Sequence, residues 1–241
     1  MTLWLASFPR SGNTLLRQVL HAGWGIISGS VFPDDLGDNL GLVRSCGHVE
    51  LKRIKANGCF TILNPHNLPI KTHLPPGLEP DDAIYMLRDG RAACVSLWHF
   101  FDKQVELDDI ICGRTDFGTW SDHVLAWTSN AERRVVLRYE EMVGRSDTVI
   151  QQLADVFGQP TGDPLAPIGL RDALASLDGK WIRRESDWRS EWSSRHEDLF
   201  MRHNHTAFQQ YYAAEAPWCA SPSHGHRTST TVPVPAQRRH A

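Results

Sequence analysis

TLWLASFPRSGNTLLRQVLHAG, residues 2–23, passes from an apolar run through a loop of Pro, Arg, Ser and Gly into apolar residues at helical spacing. TLWLAS reads as a short buried strand, and GNTLLRQVLHAG as a helix ending at Gly23. A strand that hands over to a helix in this way leaves the first N–H groups of the helix without intrahelical acceptors, a geometry that binds anions. Gly12 would let the backbone approach an oxyanion closely, Ser11, Asn13 and Thr14 would add side-chain donors, and Arg10 would supply a fixed positive charge. Ser, Thr and Asn also begin many helices simply as caps, so the loop alone is a weak signal. The pattern G-x-x-x-x-G-K-[ST] is absent, because Ala6 stands four before Arg10 and no lysine follows Gly12. An ordinary P-loop ATPase or GTPase is thereby demoted.

Outward from this unit, LPIKTH (68–73) and DAIYML (82–87) read as strand ends, and RRVVLRY (133–139) as another buried strand. GRAACVSLWHFFDK (90–103) reads as a helix capped by Asp89, and GTWSDHVLAWTSN (118–130) as a helix with Trp120, Val124 and Trp127 on one face. Strands alternating with helices predict an α/β fold, a single domain with a central parallel sheet flanked by helices. Ligands of such sheets bind at the carboxyl ends of the strands, so the loops after TLWLAS, LPIKTH and DAIYML are where chemistry is expected. Residues 24–60 are glycine-rich and weakly patterned and are expected to be irregular and partly mobile. The domain is expected over 1–218, and the Pro-, Ser-, Thr- and His-rich tail 219–241 is expected to be disordered.

Composition narrows the function classes. With 241 residues, 41% hydrophobic and 22% charged, the chain can build one sizeable core. A net charge of -3 gives no footprint for duplex nucleic acid, although a small anion needs only a few local donors. Five cysteines with no C-x-x-C pair argue against a disulfide framework or a zinc site and favour a reducing compartment. The N-terminal apolar run breaks at Pro9 and Arg10, too early for a signal segment, and no stretch approaches the roughly 18 apolar residues of a membrane span. A soluble, cytoplasmic protein without membrane insertion is expected.

SFPRSGNT (7–14) resembles the 5'-phosphosulfate-binding loop of the sulfotransferases that use 3'-phosphoadenosine-5'-phosphosulfate (PAPS), whose cytosolic form reads T-Y-P-K-S-G-T-x-W. The resemblance implies a P-loop-NTPase-like sulfotransferase architecture in which Arg10, Ser11, Gly12, Asn13 and Thr14 hold the 5'-phosphosulfate. Arg10 stands where the family has lysine, and Leu15 where it has the tryptophan that packs on adenine. YMLRDGRAACVSLWHFF (85–101) is similar to the family's Y-V-x-R-N-x-x-D-x-x-V-S-Y-Y-H-F, which implies that Arg88 and Ser96 bind the 3'-phosphate. The family's aspartate falls at Ala92, a capping change that Asp89 could replace.

IKTHLPP (70–76) puts Lys71 and His73 on the same face of an extended segment. A lone histidine among twelve is more often structural than catalytic, but this one resembles the family's K-T-H-L-P. That likeness implies that His73 is the general base and that Lys71 contacts the transferring group. A near-neutral imidazole suits the first task. LRYEEM (137–142) resembles L-x-Y-E-D-M and implies a nucleotide contact from Tyr139; Glu140 and Glu141 are expected to start the next helix or pair locally. WIRRESDWRSEW (181–192) is a compressed likeness of F-M-R-K-G-x-x-G-D-W-K-N and implies a 3'-phosphate clamp from Arg183 and Arg184.

The expected reaction is in-line transfer of a sulfuryl group from PAPS to a hydroxyl or amine of a small-molecule or glycan acceptor, with no metal required. His73 would remove the proton, and Lys71 and Arg10 would neutralise charge. The alternatives are a P-loop-like kinase, which would need a Walker lysine and a magnesium-binding carboxylate, and a non-catalytic nucleotide-binding protein, which would not need His73 and Lys71.

Overall fold

The computed structural model describes residues 2–56, 59–76, 82–129, 133–144, 146–170 and 188–213. The expectations for Arg183, Arg184 and the tail 219–241 fall outside them. Strands β1 (Leu3–Ala6), β2 (Gly29–Ser30), β5 (Ile70–Thr72), β6 (Asp82–Leu87) and β7 (Arg134–Arg138) form one five-stranded sheet in the order β2-β5-β1-β6-β7. Every pairing in it is parallel. β3 (Arg53–Ala56) and β4 (Cys59–Ile62) make a separate antiparallel pair.

Period-two alternation along the strands divides the core into two layers. Ala83, Tyr85 and Leu87 of β6 turn to one face, with α3 (Gly90–Phe100), α4 (Leu107–Ile111), α5 (Trp120–Thr128) and α9 (Ser194–Tyr212). Ile84 and Met86 turn to the other, with α1 (Asn13–Trp24), α6 (Tyr139–Val143), α7 (Asp147–Phe157) and α8 (Ala166–Gly169). A short α2 (Leu40–Ser45) carries Leu42 into a third, small cluster with Leu36 and Cys46. β6 is thus buried on both faces, which is why it reads as a nearly unbroken apolar run.

The predicted helices form with few changes. Asp89 caps α3, its carboxylate accepting from the Arg91 N–H at 2.9 Å, and Trp120, Val124 and Trp127 of α5 are buried together. α1 does not end at Gly23. It runs one residue further and is closed by Gly25 in the left-handed region (φ 66°), while Gly23 lies inside the last turn against Pro164. Residues 24–60 differ most from expectation, because β2, α2 and the β3–β4 pair organise much of this stretch. β2 is the edge strand beside β5, and the chain after it lies over the end of the sheet where Lys71 emerges. α9 was not anticipated; Phe200, Asn204, Ala207, Phe208 and Tyr212 form its buried stripe, and Ser193 and His196 make a reciprocal cap at its start.

Among the described residues, no helix is long and apolar enough to cross a membrane. Cys46, Cys94 and Cys112 are free thiols.

Candidate active site

The carboxyl ends of β1, β5 and β6 open into a cavity of about 300 Å³. Arg10, Gly12, Asn13, Thr14, Lys71, His73, Arg88, Ser96 and Tyr139 all line it, so the segments at the ends of β1, β5 and β6 converge as expected, joined by Tyr139 after β7.

The loop after β1 has the form of an anion cradle. Gly12 adopts φ 98°, and a Cβ there would stand 2.5 Å from the Tyr139 ring, so only glycine fits both the backbone and the close approach. As the N-cap of α1 it makes no side-chain cap. Helical geometry leaves the N–H groups of Asn13, Thr14 and Leu15 without acceptors inside the helix. Ser11 Oγ is buried with no hydrogen-bond partner among the described residues, and of the five predicted cradle residues Ser11 alone does not line the cavity. Gly12→Ala is expected to destabilise the protein by about 1–3 kcal/mol. Urea unfolding measures this, and an unchanged midpoint would mean that Tyr139 does not brace the loop.

Asn13 departs from expectation. Its side-chain amide donates to the Leu5 carbonyl at 2.8 Å and to Ser7 Oγ at 3.3 Å, so it ties the helix back to β1, and what it offers an anion is its backbone N–H. Arg10 sits at φ 67°, stacks over Phe100 at 5.1 Å and donates from Nε to Ser96 Oγ at 3.4 Å. Arg88 lies over the Tyr139 ring at 4.4 Å and donates from NH1 to the Arg10 carbonyl at 2.9 Å. Arg88 and Ser96 thus flank the cavity, and each also contacts Arg10, which the spacing between them could not show. The Arg88 carbonyl accepts from Trp120 Nε1 at 3.1 Å, fixing the strand end from below.

His73 follows β5 directly. Its Nδ1 lies 2.8 Å from the Ser7 carbonyl, which can only accept, so Nδ1 carries the proton and Nε2 is left with the lone pair. Burial pushes the imidazole well below its usual 6.5, and the neighbouring Lys71 charge adds to the effect. His73 is therefore neutral throughout the neutral range, the state a base requires. Its main chain is held by a second histidine that sequence reasoning missed. Phe8 N–H donates to Tyr85 Oη at 3.3 Å, Tyr85 Oη donates to His123 Nδ1 at 2.9 Å, and His123 Nε2 donates to the His73 carbonyl at 3.1 Å. Burial holds His123 down at about 4. On an apolar helix face it reads as one polar residue among Trp120, Val124 and Trp127, and only the three-dimensional contact reveals its partner.

Lys71 is the second surprise. Its ammonium is paired with Asp35, which Arg17 NH1 also holds, at 2.7 Å. Burial lowers the lysine pKa, and the Asp35 charge opposes this. Aromatic rings also line the cavity: Phe32 lies 5.7 Å from the His73 ring, Phe117 6.5 Å from it, and Phe100 and Phe101 add to the wall. Glu140 starts α6 as expected, but it is committed elsewhere, accepting from the Asp89 N–H at 3.0 Å and from Tyr212 Oη at 3.2 Å.

Comparison with known proteins adds an independent line. The family model described as "Sulfotransferase domain" matches residues 1–211. Cytosolic sulfotransferase 16 of Arabidopsis thaliana is 25% identical over 200 residues, covering 72% of this chain and 57% of the relative. Sulfotransferase 1B1 of Mus musculus is 30% identical over 181 residues, covering 62% and 56%. The chain thus spans little more than half the length of these curated relatives. Among solved structures, mouse sulfotransferase SULT7A1 complexed with PAP superposes with a TM-score of 0.59 at 18% identity, covering 89% of each chain. Retinol dehydratase in a complex with retinol and PAP superposes with a TM-score of 0.57 at 15% identity, covering 86% of this chain and 81% of that one. The two superpositions establish a shared fold.

Proposed function

The chain belongs to the sulfotransferase-domain family, and from that premise we propose that it transfers a sulfuryl group from PAPS to a hydroxyl or amine of a small acceptor, with His73 as general base. The observation that carries this reading is the convergence of a phosphate cradle and a neutral histidine on one cavity, the histidine with Nδ1–H committed to Ser7 and Nε2 free to take a proton. The two solved structures named above are complexes with PAP, which supports a bisphosphate nucleotide in this cavity.

The residues present suit such a donor. The close approach permitted by Gly12 fits an oxyanion. Arg10, Ser11, Gly12, Asn13 and Thr14 would hold the 5' end, and Arg88 and Ser96 the 3'-phosphate, with Tyr139 packed beneath both. Arg183 and Arg184 join the 3' clamp by family likeness alone. The donor, when bound, supplies the sulfuryl group and a stable leaving nucleotide. His73 Nε2 accepts the acceptor's proton, Lys71 and Arg10 place positive charge where negative charge gathers, and the aromatic wall excludes water from the acceptor side. Phe32, Phe100, Phe101 and Phe117 favour an acceptor with an apolar body over a sugar. Buried thiols at Cys46 and Cys94 fit a reducing, cytoplasmic setting.

Calorimetry with 3',5'-bisphosphoadenosine and with magnesium-ATP, followed by turnover of PAPS over a pool of acceptors read by mass shift, tests the reading. Tighter binding of magnesium-ATP would overturn it. Arg88→Ala is expected to weaken the bisphosphate about tenfold or more, because a charge-assisted contact to phosphate is worth about 1.5–3 kcal/mol. Adenosine 5'-monophosphate should lose less. Equal losses in a competition titration would show that Arg88 serves only to brace the Arg10 carbonyl.

A further inference from the structure

At the cavity wall, which Asp35 and Lys71 help to line, three charged side chains cluster with little exposure: Arg17 0%, Asp35 2% and Lys71 5%. Two cations and one anion leave one uncompensated positive charge beside His73. Arg17 has no freedom to move. Its Nε donates to Ser28 Oγ at 2.8 Å, its NH1 to Asp35 Oδ2 at 2.7 Å and its NH2 to His48 Nδ1 at 2.6 Å. His48 Nδ1 must accept there, so its Nε2–H donates to Glu50 at 2.7 Å and the ring is neutral. Asp35 is thereby pinned by one oxygen and presents the other to Lys71.

We propose that Asp35, anchored by Arg17, is a positioning residue that docks the Lys71 ammonium against the cavity two residues from His73 and so sets where the lysine meets the transferring group. The proposal rests on the sulfuryl-transfer reading for its catalytic consequence, but the docking itself can be measured without turnover. A lysine on a flexible four-carbon stem would otherwise have many rotamers, and burial beside Arg17 would favour loss of its proton. Asp35 opposes both. The groups facing Lys71 are Asp35 from the loop after β2, Arg17 from α1, the Cys46 thiol after α2, and His73 on its own segment; burial raises the thiol to about 11, so it is neutral. Asp35 is the one anion among them.

Asp35→Asn keeps the shape and removes the charge. With Lys71 then beside Arg17 alone, the lysine should deprotonate at lower pH. The expected result is a kcat about tenfold or more lower, an alkaline limb of the kcat–pH profile moved down by about one unit or more, and bisphosphate affinity within about threefold of wild type. Asp35→Glu should keep the Lys71 titration and recover part of kcat. Acetylation of Lys71 by an N-hydroxysuccinimide ester, followed against pH by mass spectrometry on the nucleotide-free chain, reads the same shift independently. Should wild type fail to turn over PAPS, the functional reading falls while the acetylation profiles still decide the docking. Asn and wild-type chains with the same Lys71 profile and the same kcat would overturn the proposal. If Asp35→Asn does not fold, Asp35→Glu decides: wild-type kcat overturns positioning, and a lowered kcat with unchanged titration and nucleotide affinity supports it.

Discussion

Replacing His73 by alanine is expected to lower kcat by about 10²–10⁴-fold, the range of a general base, with bisphosphate affinity nearly unchanged. The separation follows from geometry. His73 is fixed by the Ser7 carbonyl through Nδ1 and flanked by Phe32 and Phe117, which form the proposed acceptor side, whereas the proposed cradle is built from residues 10–14 and Tyr139. Because the imidazole is held well below 6.5, acid should not titrate the base until well into the acidic range, so the wild-type rate should persist below pH 6.5. Arg10→Ala should behave differently and harm both affinity and rate, since its charge is felt before and during transfer. Steady-state kinetics at saturating acceptor, with calorimetry on each variant, resolve the two patterns. Turnover of His73→Ala within about threefold of wild type would place the base elsewhere.

How far the chain could be read depended on whether a residue's signal was local. The strand–loop–helix unit at residues 2–23 was legible because buried parallel strands are short apolar runs and a tight loop needs Gly12. Asp89 was legible as a cap, and the sheet's carboxyl edge as the site, because both follow from position in an element. Partnerships across the fold were not. Arg17 lies among Leu15, Leu16, Val19 and Leu20 and reads as the polar face of α1, yet it is buried, because Asp35 and Ser28, in a stretch with no periodic pattern, come over to meet it. Asn13 looked like a donor to the ligand, but a side-chain amide one residue from an N-cap can equally turn back, and the Leu5 carbonyl captured it. Gly23 reads as the helix stop because glycine commonly closes helices, yet Trp24 continues the apolar stripe and the left-handed conformation falls two residues later, at Gly25.

The protein is expected to lose stability as pH falls from about 6.5 to 4, and His123 accounts for a large share. In the unfolded chain this imidazole titrates near 6.5 and in the folded protein at about 4, so acidification protonates the unfolded chain first. Its contribution is fully present above pH 6.5 and is gone once pH has fallen through about 4. A shift of that size corresponds to about 3 kcal/mol. The structural cause is specific: Nδ1 accepts from Tyr85 Oη, whose own acceptor capacity is used by the Phe8 N–H, so a proton on Nδ1 would set two donors against each other in a buried site. His73, also held below its ordinary value, adds loss in the same direction. Glu140 works the other way, because burial raises its carboxyl, and the folded state there binds its proton more readily than the unfolded chain. A wild-type profile alone would therefore mix opposing slopes. The clean measurement is the difference in urea-unfolding free energy between wild type and His123→Gln, which keeps a donor and an acceptor and does not titrate. That difference should be largest at pH 7 and shrink steadily toward pH 4, and a difference that stays constant across the window would show that His123 is not the group acid attacks.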